Sequence, residues 1–206
     1  NHHGLNHHGL NCSKAMELIQ ALGQRLAIAA QTWPDRGDWL ITLGWLGLYA
    51  AFAVPWGWGR LLQWDPVGDR SAILSNSTIA LVFPALFEEI LFRVLPLPLP
   101  DRMPTGAIAA LPSLPIAPPA DLWLWPSLSL LLFILAHPLN ALLFFPRRRS
   151  TFYNPTFLTL AGLLGLLCTL AYLQSGSLWP PVLLHWLIVV VWLLLLGGCR
   201  RLGFVA

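Results

Sequence analysis

Long apolar runs near residues 38–55, 72–95, 122–145, 156–174 and 179–198 are set apart by proline, glycine and arginine along this chain. Each is close to the ~20 residues a helix needs to cross a bilayer's hydrocarbon layer. The pattern predicts an all-α, polytopic membrane helical bundle of about five to six spans. The count depends on residues 16–37, where Leu18, Leu22, Leu26 and Ala29 fall on one helical face opposite Gln20, Gln24 and Gln31. Such a segment lies along an interface more readily than it crosses one. Residues 96–123 repeat proline too often for a regular helix, because each ring removes a backbone donor, so they read as a long loop.

Composition sharpens this picture. With 56% hydrophobic and only 10% charged residues, the chain lies outside the range of ordinary soluble domains. The lipid bilayer is its first expected partner, and a net charge of +3 carried by scattered arginines gives no footing for nucleic acid. Cys12, Cys168 and Cys199 show no paired ligand spacing, and Cys168 reads as a small hydrophobe within an apolar run. The opening NHHGLNHHGL repeats a pentapeptide with paired His, and the first Met is Met16. Residues 1–15 are therefore expected to be an upstream leader outside the fold. Residues 16–37 follow as an amphipathic segment, 38–198 as the bundle and 199–206 as a basic tail.

Arg147–Arg149 and Arg200–Arg201 bracket the last two runs, whose connection QSGSLWPP carries no charge. The excess of positive charge on cytoplasmic loops predicts that Arg147–Arg149 and the C-terminus face the cytoplasm. The expected location is a cell membrane, the inner one in a bacterium.

Against this background Glu88, Glu89 and Arg93 stand out, because all three lie inside LVFPALFEEILFRV. One ionisable group at the centre of a span costs ~2.5–3.5 kcal/mol on insertion scales. Glu89 and Arg93 are four residues apart, acid first, the favourable order for an ion pair on one helical face. Glu88, turned roughly 100° away, has no partner from its own helix and must face the bundle interior or a wet cavity. A carboxylate of that kind suits a general base. Pro84, four residues before Glu88, should distort this span.

His137 and His185 occur in two further apolar runs. A lone His in a membrane helix is often only a packed, hydrogen-bonded residue. Three polar helices together can instead turn a carboxylate, two imidazoles and a guanidinium toward one centre, a set able to activate water and stabilise an oxyanion. Asn140, three residues after His137, can orient that imidazole or add an amide donor, and Pro138 between them should kink the helix.

These residues carry a resemblance. EEILFR (Glu88, Glu89, Arg93) is similar to the EExxxR motif of the CAAX prenyl endopeptidase and bacteriocin-processing family, FILAH (Phe133 to His137) to its FxxxH motif, and His185 stands where its third motif has HxxxN. The resemblance covers residues 72–198. It implies an intramembrane endopeptidase acting on membrane-associated proteins or peptides. In that reading Glu88 is the general base toward water, His137 assists it, and His185 donates to the oxyanion. Glu89, Arg93 and Asn140 support the site. Both metal-dependent and glutamate-type mechanisms have been described for the family; HExxH is absent here, so the expected cofactor is none, with a divalent metal left open.

One position departs from the pattern, since Val189 stands where HxxxN requires Asn. Two other functions therefore stand beside the protease: a catalytically degenerate membrane scaffold of the same fold, and a proton-coupled transporter using Glu88, His137 and His185 as a relay. Small size and the lack of an internal repeat weigh against transport.

Overall fold

The computed structural model describes residues 6–97, 120–144 and 146–204, with the side chains of residues 6–13 and 120–122 excepted. The proline-rich loop assigned to 96–123 falls almost wholly outside these residues, as does the start of the His-containing repeat. The described chain is helical: α1 (Asn6–Gln31), α2 (Arg36–Gly57), α3 (Arg70–Ala80), α4 (Ala120–Leu143), α5 (Arg149–Phe152), α6 (Pro155–Ser175), α7 (Trp179–Leu195) and α8 (Gly198–Leu202). Beyond Ala80 the α3 rod continues through two wide π-helical stretches, Leu81–Phe87 and Ile90–Val94. The all-α membrane bundle read from hydropathy is the fold observed. Arg36–Gly57, Trp123–Leu143 and Pro155–Ser175 are long and apolar enough to cross a membrane; Trp179–Leu195 is apolar but shorter.

Local chemistry sets the helix ends. Asp35 and Asp38 form a reciprocal capping box at the start of α2, each satisfying an amide that the helix leaves unpaired. Asp69 caps α3 through the Ser71 and Ala72 amides, and its bonds to the Ser71 hydroxyl and to those two amides hold its carboxyl below the usual range. Asn154 caps α6 with Pro155 at its first position, and Gly176 ends it at φ 65°, a left-handed conformation that suits glycine.

The central rod is α6, which packs against α2, α4 and α7. Gln174 near its end meets Asp38 at the start of α2 (Nε2 to Oδ1, 3.4 Å), while Gly57 at the far end of α2 lies against Leu62 and Leu160. The two helices are therefore antiparallel. Gly165 sets the approach of α4: a Cβ there would lie 2.7 Å from Phe133 and 2.9 Å from Leu130. At the other edge, the amides of Gln63, Asp65 and Val67 donate to the carbonyls of Leu196, Leu195 and Leu194. An extended strap thus satisfies acceptors that the end of α7 would leave bare.

Helix α1 begins at Asn6, within the segment set apart as a leader. Ala29 is buried and Leu22 and Leu26 half-buried, while Gln20, Gln24 and Gln31 are exposed, the division the amphipathic reading predicts; Leu18, placed on the inner face, is exposed. Ala29 accepts from the Leu178 amide and Ala30 from the Trp179 indole, fastening α1 to the start of α7.

Candidate active site

Pro84 has no amide to give the carbonyl four residues before it, and the chain answers with the first π stretch. The second shows in the Leu95 amide, which reaches five residues back to the Ile90 carbonyl at 3.1 Å. Between the two, Glu88 and Glu89 keep α-helical dihedrals. Each wide turn holds roughly one residue more than an α turn, so the pair is rotated relative to where an ideal helix from Arg70 would present it.

Glu89 points into the protein. Its side chain is fully buried; Oε1 accepts from His185 Nδ1 at 2.7 Å, and Oε2 lies 3.2 Å from Arg93 Nε. The Arg93 Nε–H is not aimed at that oxygen, so this contact is an ion pair without a hydrogen bond. Arg93, also fully buried, donates from Nη2 to the Gly165 carbonyl at 2.9 Å, and its Cζ stacks 4.4 Å from the Phe133 ring centre. A carbonyl, a phenyl face and a carboxylate are what the guanidinium meets in place of water, while its Nη1 makes no hydrogen bond with a described residue.

Glu88 is placed differently. Its side chain is 20% exposed against 0% for Glu89, and its Oε2 accepts no hydrogen bond. Its neighbour across the site is His185, whose Nε2 lies 4.0 Å from that oxygen. This separation is too long for a direct hydrogen bond, and Glu88 Oε2 is itself buried. Because His185 Nδ1 is committed to Glu89, its Nε2 is the nitrogen turned toward Glu88.

His137 also packs against Phe133. Its Nδ1 donates to the Phe133 carbonyl at 2.9 Å, which leaves Nε2 as the free nitrogen of the neutral ring. The Phe133 ring packs edge-on to His137 at 5.0 Å and to His185 at 6.0 Å, so both imidazoles share one phenyl neighbour. Phe157 and Phe152 close the far side of His137 at 5.4 and 6.1 Å. The structure therefore joins Glu88, Glu89, Arg93 and His185 directly and His137 through a shared aromatic wall. Asn140 is half-buried, and its side chain makes no hydrogen bond with a described residue. Val189 packs with Ala80, Leu193 and Leu194 in an apolar cluster.

A family model for the Rce1-like type II CAAX prenyl endopeptidases matches residues 70–191, which include all of these side chains. The chain belongs to that family. Neither a curated protein nor a solved structure matches it. The Rce1-like match joins with the apolar helices to make this an integral membrane protein of a protease family, as EEILFR, FILAH and His185 suggested.

In this Rce1-like chain Cys168 is the neighbour that sequence reasoning missed. Glu89, Cys168 and His185 bring one ligand atom each within 4.8 Å of one another, all buried. The available signal was the small-residue spacing Gly162, Gly165, Cys168 on α6, which marks a face where another helix comes close. The cluster is a poor cage for a divalent ion. Its carboxylate already faces a guanidinium at 3.2 Å and its imidazole Nδ1 already donates to that carboxylate at 2.7 Å. A metal would have to break both contacts and lie beside a fixed positive charge.

Proposed function

We propose that this protein is an intramembrane endopeptidase that hydrolyses peptide bonds of membrane-associated proteins or peptides with a water activated by Glu88. The observation that carries the reading is the unequal placement of the two acids. Glu89 is fully buried, hydrogen-bonded by His185 and ion-paired with Arg93, while Glu88 is partly exposed and its Oε2 has, among the described residues, only His185 Nε2 near it, at 4.0 Å. Water reaching the exposed part of the Glu88 side chain loses a proton to its carboxylate as the water oxygen adds to the peptide carbonyl carbon. The carbonyl π electrons move to oxygen, and a protonated His185 Nε2 can donate to the oxyanion so formed. Collapse of the intermediate breaks the C–N bond, and the proton held by Glu88 passes to the departing amine. Glu89 fixes the His185 ring and Arg93 neutralises Glu89. His137, beside Phe133, offers its Nε2 to the same reaction space, with Asn140 as a candidate amide donor. A membrane-proteome comparison of cells carrying wild type and Glu88→Gln tests this reading: cleavage products confined to wild type support it, and identical product sets reject it.

The apolar packing of Val189 favours a second reading, a scaffold whose polar core no longer turns over substrate. The two readings differ at this position. In a competent protease lacking one oxyanion donor, Val189→Asn should raise turnover, with an upper bound of about 10²-fold by analogy with other oxyanion donors. In a scaffold it changes nothing measurable, and it disturbs the apolar cluster in either case. Turnover of an identified substrate by Val189→Asn, normalised to folded protein, is the deciding measurement.

The orientation proposed is that the arginine-bearing end faces the cytoplasm. Ser150 lies exposed at that end, and Arg36 lies exposed at the start of α2, at the opposite end. Single Cys residues replacing Ser150 and Arg36 should react with a membrane-impermeant thiol reagent from opposite sides. Reaction of both from one side would reject the orientation.

A further inference from the structure

Charge is divided unevenly over the described residues. Arg60, Arg70, Arg147–Arg149, Arg200 and Arg201 gather at the end where α2, α4 and α7 finish, and their only acidic neighbours are Asp65 and Asp69. In α1 and the start of α2, by contrast, Lys14, Arg25 and Arg36 are balanced by Glu17, Asp35 and Asp38.

The arginines form a connected rim. Arg200 Nε pairs with Asp65 at 3.1 Å, Arg201 donates to the Arg60 carbonyl at 3.4 Å, and Arg148 stacks 4.3 Å from the Phe204 ring centre. These contacts draw the α2–α3 connection, the α4–α6 connection and α8 together. Trp56, Trp58, Trp64 and Tyr153 are exposed around this end, as aromatic rings are at headgroup level. A depression of about 300 Å³ joins the rim to the lipid-facing side of α2: Ala51, Phe52, Pro55 and Trp56 form apolar walls, and Arg60 stands at its head with Cζ 4.7 Å above the Trp56 ring.

We propose that this rim binds anionic phospholipid of the adjoining leaflet, one phosphate held by Arg60 beside Arg201 with its acyl chain lying against Phe52 and Pro55 and neighbouring headgroups drawn to Arg147–Arg149, and that the bound lipid stabilises the bundle. Guanidinium forks match phosphate oxygens two at a time. An apolar groove running down from a guanidinium suits a molecule with both a charged head and a hydrocarbon tail, which a free anion or an acidic peptide lacks. Orientation during insertion requires only the presence of positive charge, whereas ties among three separate connections and a groove below Arg60 are features of a binding site.

The test uses full-length protein in nanodiscs of phosphatidylcholine alone or with about 30% phosphatidylglycerol, read by thermal unfolding and by native mass spectrometry of retained lipid. Wild type should unfold about 5 °C higher in the anionic bilayer and carry phosphatidylglycerol into the gas phase. The triple variant Arg60→Gln, Arg147→Gln, Arg149→Gln should lose at least half of that gain relative to its own midpoint in phosphatidylcholine, and the corresponding triple Lys variant, which keeps the charge but not the fork, should fall between it and wild type. Should the Gln variant fail to fold, the wild-type gain must still shrink in high salt, since screening weakens headgroup contacts. Equal wild-type midpoints in the two bilayers, a salt-insensitive gain, or an undiminished gain in the Gln variant would overturn the proposal.

Discussion

Glu88→Gln is expected to lower turnover of a cleaved membrane substrate by at least about 10³-fold while leaving the unfolding midpoint in detergent within about 1 °C of wild type. The two halves of this result have separate causes. Glutamine keeps the size of glutamate but accepts no proton from water, so the general base is lost. The fold loses little, because the Glu88 Oε2 accepts no hydrogen bond and stands 4.0 Å from His185. The measurement pairs initial rates on an identified substrate with thermal melts of the same preparations. Near-normal turnover by Glu88→Gln would remove Glu88 from the base role. Absence of turnover by wild type on every membrane substrate would leave the scaffold reading in its place.

The adjacent acid should behave in the opposite way. Glu89→Gln is expected to destabilise the protein by about 3–5 kcal/mol, a fall of roughly 10 °C in the midpoint for a chain of this size. The reason is Arg93: fully buried, its guanidinium has Glu89 as its counter-charge at 3.2 Å, while its other contacts are a carbonyl and a phenyl face, both uncharged. Removing the acid strands a cation in low dielectric. The Glu89→Gln, Arg93→Met double variant removes that stranded charge and should recover about half of the lost stability. His185 is the internal control, since glutamine Oε1 still accepts from its Nδ1 and the ring need not turn. A double variant whose loss is the sum of the two single losses would show that the pair is not coupled. Glu88 and Glu89, identical in chemistry and neighbours in sequence, would then be separated by experiment: one changes rate and the other stability.

The difference between these acids was partly legible before any coordinates. The four-residue spacing of Glu89 and Arg93 led to a pair observed at 3.2 Å, because neighbouring positions on one helical face meet whatever surrounds them. The absence of such a neighbour singled out Glu88. The position of His185 was not legible. Its Nδ1 bond to Glu89 arises between residues 96 apart in the chain, and no periodicity within one helix encodes that distance. Sequence reasoning turned His137 and His185 alike toward Glu88; the described contacts put His185 Nε2 4.0 Å from Glu88 and both imidazoles against the Phe133 ring.

What the sequence by itself determined is whatever depends on a single helix and its solvent. Hydropathy and length marked the apolar rods, and Pro84 marked where the α3 rod would depart from α geometry. These are local effects, decided by burial cost and by backbone donors within a few residues. The tertiary structure alone decided how the rods turn toward one another. Two π stretches around Glu88 and Glu89 change the rotation per residue, so the face that each acid presents follows from backbone hydrogen bonding and not from counting. Gly165 and Cys168 read as ordinary small residues of an apolar span until α4 and α3 lie against them. Only then do they become the carbonyl that receives Arg93 and the sulfur beside Glu89, because close approach is a property of two surfaces and is written in neither one alone.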